Sequence, residues 1–291
     1  MQISTSALLS QLLLGLVNGS FYAILSLGLA VIFGLLNVIN FAHGALFMLG
    51  ALITWMGLEY FELNYWVMLV VAPLVVGAIG VVLERGLLRW IYKLDHLYGL
   101  LLTLGITLVI EGFFRSIYGV SGLAYDAPDA LSGATDLGFM LLPNYRVWVV
   151  GASLSVCLLT WFVIEKTRLG AYLRAGTENP RLVEAFGINV PVMVTLTYAF
   201  GGALAAFAGV LAAPVVQLSP LMGQNLIIVV FAVVVIGGMG SILGAIITGM
   251  LLGVVEGFAR VFYPEMSSTV VFFIMIVVLL LRPAGLFGKE K

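Results

Sequence analysis

The chain has 291 residues, of which 62% are hydrophobic and only 9% charged, and its formal net charge at pH 7 is −1. A soluble domain usually carries about a quarter charged residues, so a water-soluble globular fold is excluded. A charge so close to zero also gives no indication of nucleic-acid binding. The composition instead predicts an all-α, polytopic bundle of transmembrane helices, because lipid is itself an apolar solvent.

Apolar runs of about 20 residues, long enough to span a bilayer, recur along the whole chain. The first is longer than the apolar part of a secretory signal and has no positive residues before it, so we expect it to be retained. The predicted spans are 7–34, 38–57, 64–83, 98–118, 147–164, 192–213, 225–238, 241–262 and 266–281. The seventh is short, as expected of a half-helix or a re-entrant segment. The sequence therefore predicts eight or nine crossings in a single transmembrane domain, 1–291.

Broken or re-entrant segments are expected near Gly44 and Gly238, and similar stretches lie close to both. Leu49–Thr54 reads LGALIT, and Leu243–Thr248 reads LGAIIT. Many transporters consist of repeats with broken helices at corresponding positions. An internal repeat and a chance match among common membrane residues both account for this similarity.

Charge fixes the expected orientation. Ten of the 13 basic residues lie in three hydrophilic segments, 84–97, 165–191 and the tail from Arg282. Cytoplasmic loops carry the excess of Lys and Arg, so we expect all three segments in the cytoplasm. The long connection 119–146 carries three aspartates and is expected outside, as is the N-terminus if there are nine crossings.

The chain has no nucleotide-binding loop. Such a loop requires a glycine-rich stretch that ends in Gly-Lys-Ser or Gly-Lys-Thr, and only Lys289 follows a glycine, with Glu290 after it. Active transport would therefore draw its energy from another chain or from an ion gradient, and we expect no cofactor on this chain.

Two acidic residues stand inside predicted spans, Glu111 and Glu256. Each is followed by an arginine four residues on, at Arg115 and Arg260, on the same helix face. One interpretation is a pair of interfacial ion pairs. The other is a polar lining near the outer mouth of a pathway, since ionisable groups in membranes are often functional.

An unusual polar cluster, Asn37–Gly44, stands at the edge of the second span. Asn37, Asn40 and His43 enter an otherwise apolar helix, where polar groups must face protein or water. They indicate either a cytoplasmic gate beside a helix break or capping of free backbone N–H groups. A metal site is not expected, because the only other histidine is His96 in a loop, and no catalytic constellation is present.

The basic loop 165–191 contains the clearest local signal. Asn179 followed by Pro180 is a typical helix start, Glu184 falls early in the helix, and Gly187 stands where it should end. Leu182, Val183 and Phe186 would give this short helix an apolar side. A solvated loop needs no such helix, so we expect it to dock on a partner.

At these residues the chain resembles permeases of ATP-driven importers of the branched-chain amino-acid type, the LivH and LivM families. The resemblance rests on four elements in order: Gly34–Gly50, the loop around Arg174 and Asn179, Ile236–Ser241, and Leu281–Gly288. His43 makes the second span more similar to LivH than to LivM.

The resemblance implies a larger machine in the bacterial inner membrane, embedded in lipid. A second homologous permease, expected to form a heterodimer with this one, two cytoplasmic ATPase subunits and an external substrate-binding protein would complete it. The coupling helix would lie within 170–189. The residues implied for it are Gly170, Arg174, Ala175, Asn179, Pro180, Glu184, Ala185 and Gly187.

The second, seventh and eighth spans hold the glycine breaks and polar residues, so we expect them to line the pathway. Candidate pathway residues there include Gly237, Gly238 and Gly240. Branched-chain amino acids suit a largely apolar pathway, but the family pattern also serves urea, short amides and aromatic acids. An ion-coupled carrier or channel for a small neutral or carboxylate solute is the alternative.

Overall fold

The computed structural model describes residues 4–36, 39–92 and 94–288. In these ranges the chain forms eleven α-helices and one short two-stranded sheet. The helices are α1 Thr5–Leu36, α2 Ala42–Phe61, α3 Tyr65–Gly86, α4 His96–Tyr118, α5 Asn144–Lys166, α6 Arg168–Glu178, α7 Pro180–Ala185, α8 Val190–Ala212, α9 Met222–Gly237, α10 Ile242–Phe262 and α11 Val270–Leu281. The strands are β1 Ala134–Asp136 and β2 Leu141–Pro143, which pair antiparallel.

Each predicted span corresponds to a helix, which confirms the all-α polytopic fold. Seven helices are long and apolar enough to cross a membrane: α1, α2, α3, α4, α5, α8 and α10. Helices α9 and α11 are apolar but have only 16 and 12 residues. At 1.5 Å per residue, α11 is about 18 Å long, shorter than a hydrocarbon core of about 30 Å. The count of eight or nine crossings therefore stays a prediction.

Polar residues define where several of these apolar helices begin. The side chain of Asn64 accepts a hydrogen bond from Val67 N at 3.0 Å, and that of Asp95 accepts one from Leu97 N at 2.9 Å. Both satisfy backbone N–H groups that have no partner within the helix.

The chain divides into two compact units, the first of which comprises Met1–Leu27, Asp126–Cys157 and Ile228–Lys291. Glycines bring α1 and α10 into backbone contact in this unit. A Cβ added to Gly15 would lie 2.7 Å from the carbonyl oxygen of Gly253, and one added to Gly19 would lie 2.8 Å from that of Met250. Small residues permit such close approach between membrane helices.

The second unit comprises Gly28–Tyr125 and Leu158–Ile227, and α8 lies at its centre. Helices α2 and α3 both pack along α8, and α4 packs on α2. Gly50 contacts the backbone of Ala206, and Gly80 lies against Ala199. Near one end, Tyr198 of α8 packs with Ile32 and Leu88 in a buried cluster.

The outer faces of the spans are apolar and exposed. Leu74 and Val82 on α3 and Val109 on α4 are each about two-thirds exposed or more (67%, 70% and 72%). Such faces are compatible with lipid or with apolar surfaces of other subunits.

Candidate functional site

The break predicted near Gly44 lies just before that residue. Ile39 and Asn40 are not helical, α2 begins at Ala42, and Gly44 itself is helical. Asn37 lies outside the described residues. Thr103 of α4 compensates the interruption: its hydroxyl accepts a hydrogen bond from Phe41 N at 3.1 Å and lies 3.2 Å from the carbonyl oxygen of Ile39. Irregular backbone in a membrane needs such a protein partner.

The polar residues at this break are buried. The Oδ1 atom of Asn40 accepts a hydrogen bond from the Tyr198 hydroxyl at 3.5 Å, and its Nδ2 has no partner among the described residues. Asn40 therefore contacts α8 rather than capping α2. His43 packs beside Gly28, where an added Cβ would lie 2.9 Å from the histidine Cε1.

Gly44 lies against the backbone of Gly223, which is the residue before Gln224 in α9. Gln224 in turn donates a hydrogen bond from Nε2 to Oε2 of Glu111. The first turn of α9 thus contacts two of the candidate pathway positions of the second unit, Gly44 on α2 and Glu111 on α4.

Glu111 does not form the ion pair that its spacing from Arg115 allowed. Its side chain is buried, with the residue only 3% exposed, whereas Arg115 is exposed. Gln224 donates to Oε2 of Glu111, and Oε1 of Glu111 has no hydrogen-bond partner in the described part of the chain. The ion-pair interpretation is therefore wrong for Glu111, because a side chain from distant sequence takes the place of Arg115.

Glu256 in the first unit does form its predicted pair. Arg260 donates to Oε1 of Glu256 at 2.6 Å, and the hydroxyl of Tyr22 on α1 donates to Oε2 at 2.7 Å. The carboxylate is thus buried with a donor on each oxygen.

The glycine-rich break between α9 and α10 adopts left-handed backbone at two positions. Gly238 has φ of 99° and Gly240 has φ of 82°, and Ser241 caps α10 by accepting from Gly244 N at 3.1 Å. Gly237 packs against Gly244. The break near Gly238 is therefore present.

The C-terminal tail completes this break. Leu286 N donates to the carbonyl oxygen of Ile236 at 2.8 Å, and Phe287 N donates to that of Gly237 at 3.2 Å. These carbonyls end α9 and have no partners within the helix. Each of these bonds joins residues 50 positions apart, so two separate sequence elements form one structure.

The predicted helix in the basic loop is present as α7. Asn179 caps it by accepting from Leu182 N at 3.1 Å, and Gly187, with φ of 84°, follows its end. A second helix, α6, precedes it. Gly170 of α6 packs so closely on Ile164 that an added Cβ would collide with the carbonyl group, and Arg174 donates to that carbonyl oxygen at 3.1 Å.

The three residues predicted to form the apolar side of this helix differ in burial. Val183 is buried, whereas Leu182 and Phe186 are 54% and 78% exposed. Phe186 directly follows the end of α7, and its N donates to the carbonyl oxygen of Leu182 at 3.3 Å, so these two exposed residues are one turn apart. The remaining candidate residues of the loop that are exposed are Arg174, Ala175, Asn179, Pro180, Glu184, Ala185 and Gly187.

Sequence reasoning missed a third buried carboxylate. Glu84 was assigned to a hydrophilic segment, but α3 continues to Gly86 and leaves Glu84 only 1% exposed. Tyr92 donates to Oε1 at 3.1 Å and Thr195 donates to Oε2 at 2.7 Å. Burial raises the pKa of Tyr92 above its ordinary value, so its hydroxyl remains a donor at neutral pH.

Comparison with known proteins identifies the family. The family model described as "Branched-chain amino acid transport system / permease component" matches residues 11–279. The chain belongs to this permease family. The resemblance predicted from the four sequence elements is thereby confirmed.

Relatives named BraD and LivH match over almost their whole length, and a LivM protein matches over about two-thirds of its length. The high-affinity branched-chain amino acid transport system permease protein BraD of Pseudomonas aeruginosa is 30% identical, over 97% of this chain and 96% of the relative. LivH of Salmonella typhimurium is 28% identical over the same shares. LivM of that organism is also 28% identical, over 93% of this chain and 68% of the relative. No solved structure gives a significant match.

The chain is thus a multi-pass membrane protein of a transport-permease family, and its candidate residues form separate groups. Asn40, His43, Gly44 and Glu111 belong to the second unit, as does the segment with α6 and α7. Gly237, Gly238, Gly240 and Glu256 belong to the first unit.

Proposed function

We propose that the chain is one permease subunit of an ATP-driven importer that carries branched-chain amino acids across the bacterial inner membrane. The observation that carries the proposal is the match over nearly full length to BraD and LivH permease proteins. The chain itself catalyses no reaction. Two cytoplasmic ATPase subunits hydrolyse ATP, and an external binding protein delivers the substrate.

A second homologous permease completes the pathway, and the similarity of the chain to a LivM protein as well as to LivH proteins supports a heterodimer. Residues 1–291 act as one permease domain, with the coupling loop at 165–191 and the external loop at 119–146. Urea, short amides and aromatic acids are alternative substrates, because the external binding protein selects the solute.

The segment 168–187, here called the coupling segment, is where the ATPases dock. Its support is an exposed apolar pair, Leu182 and Phe186, on a basic loop. Exposed apolar patches on a polar surface are typical of protein interfaces. Arg174 is tied to Ile164 at the end of α5, so the segment is held firmly against the membrane-spanning part.

Orientation follows from the basic segments, which we assign to the cytoplasm. Hydrogen bonds from Leu286 and Phe287 to the end of α9 support a common side for the tail and the break at Gly238. The pathway would be lined by Asn37, Asn40, His43, Gly44 and Glu111, and by Gly237, Gly238, Gly240 and Glu256.

An ion-coupled carrier is the second candidate. Its support is Glu111, whose buried Oε1 has no hydrogen-bond partner within the described ranges. A buried carboxylate in a membrane could bind a proton or a cation. Uptake by the purified chain alone, driven by a gradient and without ATP, would favour the carrier.

The test is co-purification through a tag on this chain, followed by ATP-dependent uptake of leucine in proteoliposomes. We expect a second permease and two ATPases to accompany the wild type. Leu182→Ser together with Phe186→Ser should reduce the recovered ATPases by about tenfold or more, as expected when central interface residues are truncated. Membrane insertion should be unchanged.

The matched control is Leu137→Ser, which alters a 40% exposed leucine in the external loop. It should retain the ATPases. Equal recovery of ATPases with the double variant and with this control would refute the docking assignment. A wild-type chain that purifies alone under several mild conditions would refute the importer.

A further inference from the structure

Helix α8 carries two polar contacts one turn apart on the same face. The Thr195 hydroxyl donates to Glu84 on α3 at 2.7 Å. The Tyr198 hydroxyl donates to Asn40, at the break before α2, at 3.5 Å. Tyr198 and Glu84 are both 1% exposed, so these contacts lie inside the second unit.

Glu84 is an unusual anchor because its hydrogen-bond donors, as far as the structure describes the chain, are both hydroxyl groups. Tyr92 and Thr195 each donate to one carboxylate oxygen, and Glu84 takes part in no ion pair among the described residues. A buried charge with two donors holds them in place, since leaving it with an unsatisfied oxygen is costly. The carboxylate therefore ties α8 to the end of α3.

The coupling segment joins α8 through a short, hydrogen-bonded turn. Gly187 N donates to the carbonyl oxygen of Glu184 at 2.9 Å, and Ile188 N donates to that of Val183 at 3.3 Å. Asn189 then caps α8 by accepting from Val192 N at 3.1 Å. The turn that ends α7 is bonded up to Ile188, and the next residue, Asn189, caps α8, so a displacement of α7 acts on the beginning of α8 through one peptide link.

We propose that α8 transmits movement of the coupling segment to the helix break at Asn40. The Glu84–Thr195 bond is the tie that makes α8 pivot against α3, and Tyr198–Asn40 is the contact that shifts the break. Thr195, Glu84 and Tyr198 are positioning residues for transport. The inference rests on the proposed function, because it needs a driven movement at α7.

The experiment uses the complex purified through a tag on this chain, reconstituted in proteoliposomes with its binding protein. Uptake of labelled leucine and release of phosphate from ATP are measured in the same vesicles. Thr195→Val and Tyr198→Phe should each lower leucine imported per ATP hydrolysed by about tenfold, since a bond to a charged or buried polar group is worth roughly that factor. ATP hydrolysis and subunit recovery should stay within about twofold of wild type, since each change removes one hydrogen bond inside this subunit and alters no ATPase residue.

Thr197→Val is the matched control. Thr197 lies on the same helix and is buried, but within the described ranges its hydroxyl bonds only to the carbonyl oxygen of Met193 of α8, at 2.8 Å. It should leave the ratio unchanged. A role in stability alone would lower uptake and ATP hydrolysis together, in proportion to the assembled complex.

Glu84→Leu tests the same tie from the α3 side, because it removes the acceptor of both Thr195 and Tyr92. Combined with Thr195→Val it should lower the ratio no further than Glu84→Leu alone, because the Thr195 bond is already lost. If these variants import as much leucine per ATP hydrolysed as Thr197→Val does, and the wild type shows ATP-dependent uptake, the inference is wrong but the proposed function stands. A wild-type complex without ATPases or without ATP-dependent leucine uptake overturns the proposed function and the inference with it.

Discussion

At the scale of single residues, the buried carboxylates organise the polar part of an otherwise apolar molecule. Glu256 receives one donor from Arg260 on its own helix and one from Tyr22 on α1. A carboxylate surrounded by apolar residues needs both, since charge in a membrane is costly unless it is paired. Tyr22 therefore stabilises the packing of α1 on α10 through a charged acceptor.

Replacing Tyr22 tests this contribution. Tyr22→Phe removes one hydrogen bond to a charged group and should destabilise the protein by about 1–2 kcal/mol. The measurement is reversible unfolding by denaturing detergent in mixed micelles. Tyr263→Phe, at a tyrosine that is 71% exposed, is the control and should be neutral. Equal stabilities for the two variants would show that the Tyr22 hydroxyl contributes nothing.

Sequence predicts such residues when the partners are near neighbours in the chain. The spacing of Glu256 and Arg260 predicted their pair, but the same spacing failed at Glu111. The partner of Glu111 is Gln224, 113 positions away, and one partner of Glu84 is Thr195, 111 positions away. No local pattern identifies such contacts, because packing of α8 and α9 creates them.

At the scale of helices, glycine decides which pairs pack most closely. Gly15 and Gly19 on α1 meet Gly249, Gly253 and Gly257 on α10, with spacings of four residues on both helices. Residues four apart lie on one face, so each helix presents a smooth strip of backbone. Contact between these strips depends on the absence of side chains.

Adding a methyl group on this strip should separate the two helices. At Gly253 an added Cβ would collide with the backbone of Gly19, so Gly253→Ala should destabilise the protein by about 1–3 kcal/mol, as overpacking does. Gly151→Ala is the control, because nothing lies within 4 Å of its added Cβ. The control should be neutral or slightly stabilising, since alanine favours helices over glycine. The free energies of unfolding of both variants are measured in mixed micelles, and equal values for the two would contradict the prediction.

Helix boundaries were predictable where capping residues are local. Asn179, Pro180 and Gly187 defined α7 correctly, because cap chemistry involves only adjacent residues. The start of α2 was placed too early, at residue 38 instead of Ala42, since apolarity alone extends across the break. The backbone groups at this break, Phe41 N and the carbonyl oxygen of Ile39, bond to Thr103 of α4. The sequence of the second span gives no indication of this partner.

At the scale of the whole molecule, the roles proposed for the loops depend on which side of the membrane each loop lies. Composition and apolar runs predicted the bundle, and positive residues predicted the sides. Only helix α5 lies between the short hairpin, β1 to β2, and the coupling segment. A single crossing by α5 would place these two segments on opposite sides of the membrane, as the proposed orientation requires.

Cysteine labelling tests this orientation directly. The only cysteine, Cys157, is buried and can be removed as Cys157→Ala. On that background, Glu184→Cys should react with a membrane-impermeant maleimide only in inside-out vesicles, and Ser132→Cys only in right-side-out vesicles, because both positions are exposed. Reaction of both from one side would contradict the assigned topology. Ser6→Cys then distinguishes an odd from an even number of crossings, since nine crossings, or the seven long helices alone, put the N-terminus opposite the tail, whereas eight put both in the cytoplasm. A label on Ser6→Cys from the inside would mean that only one of the short helices α9 and α11 crosses, because these have 16 and 12 residues and all seven long helices are expected to cross.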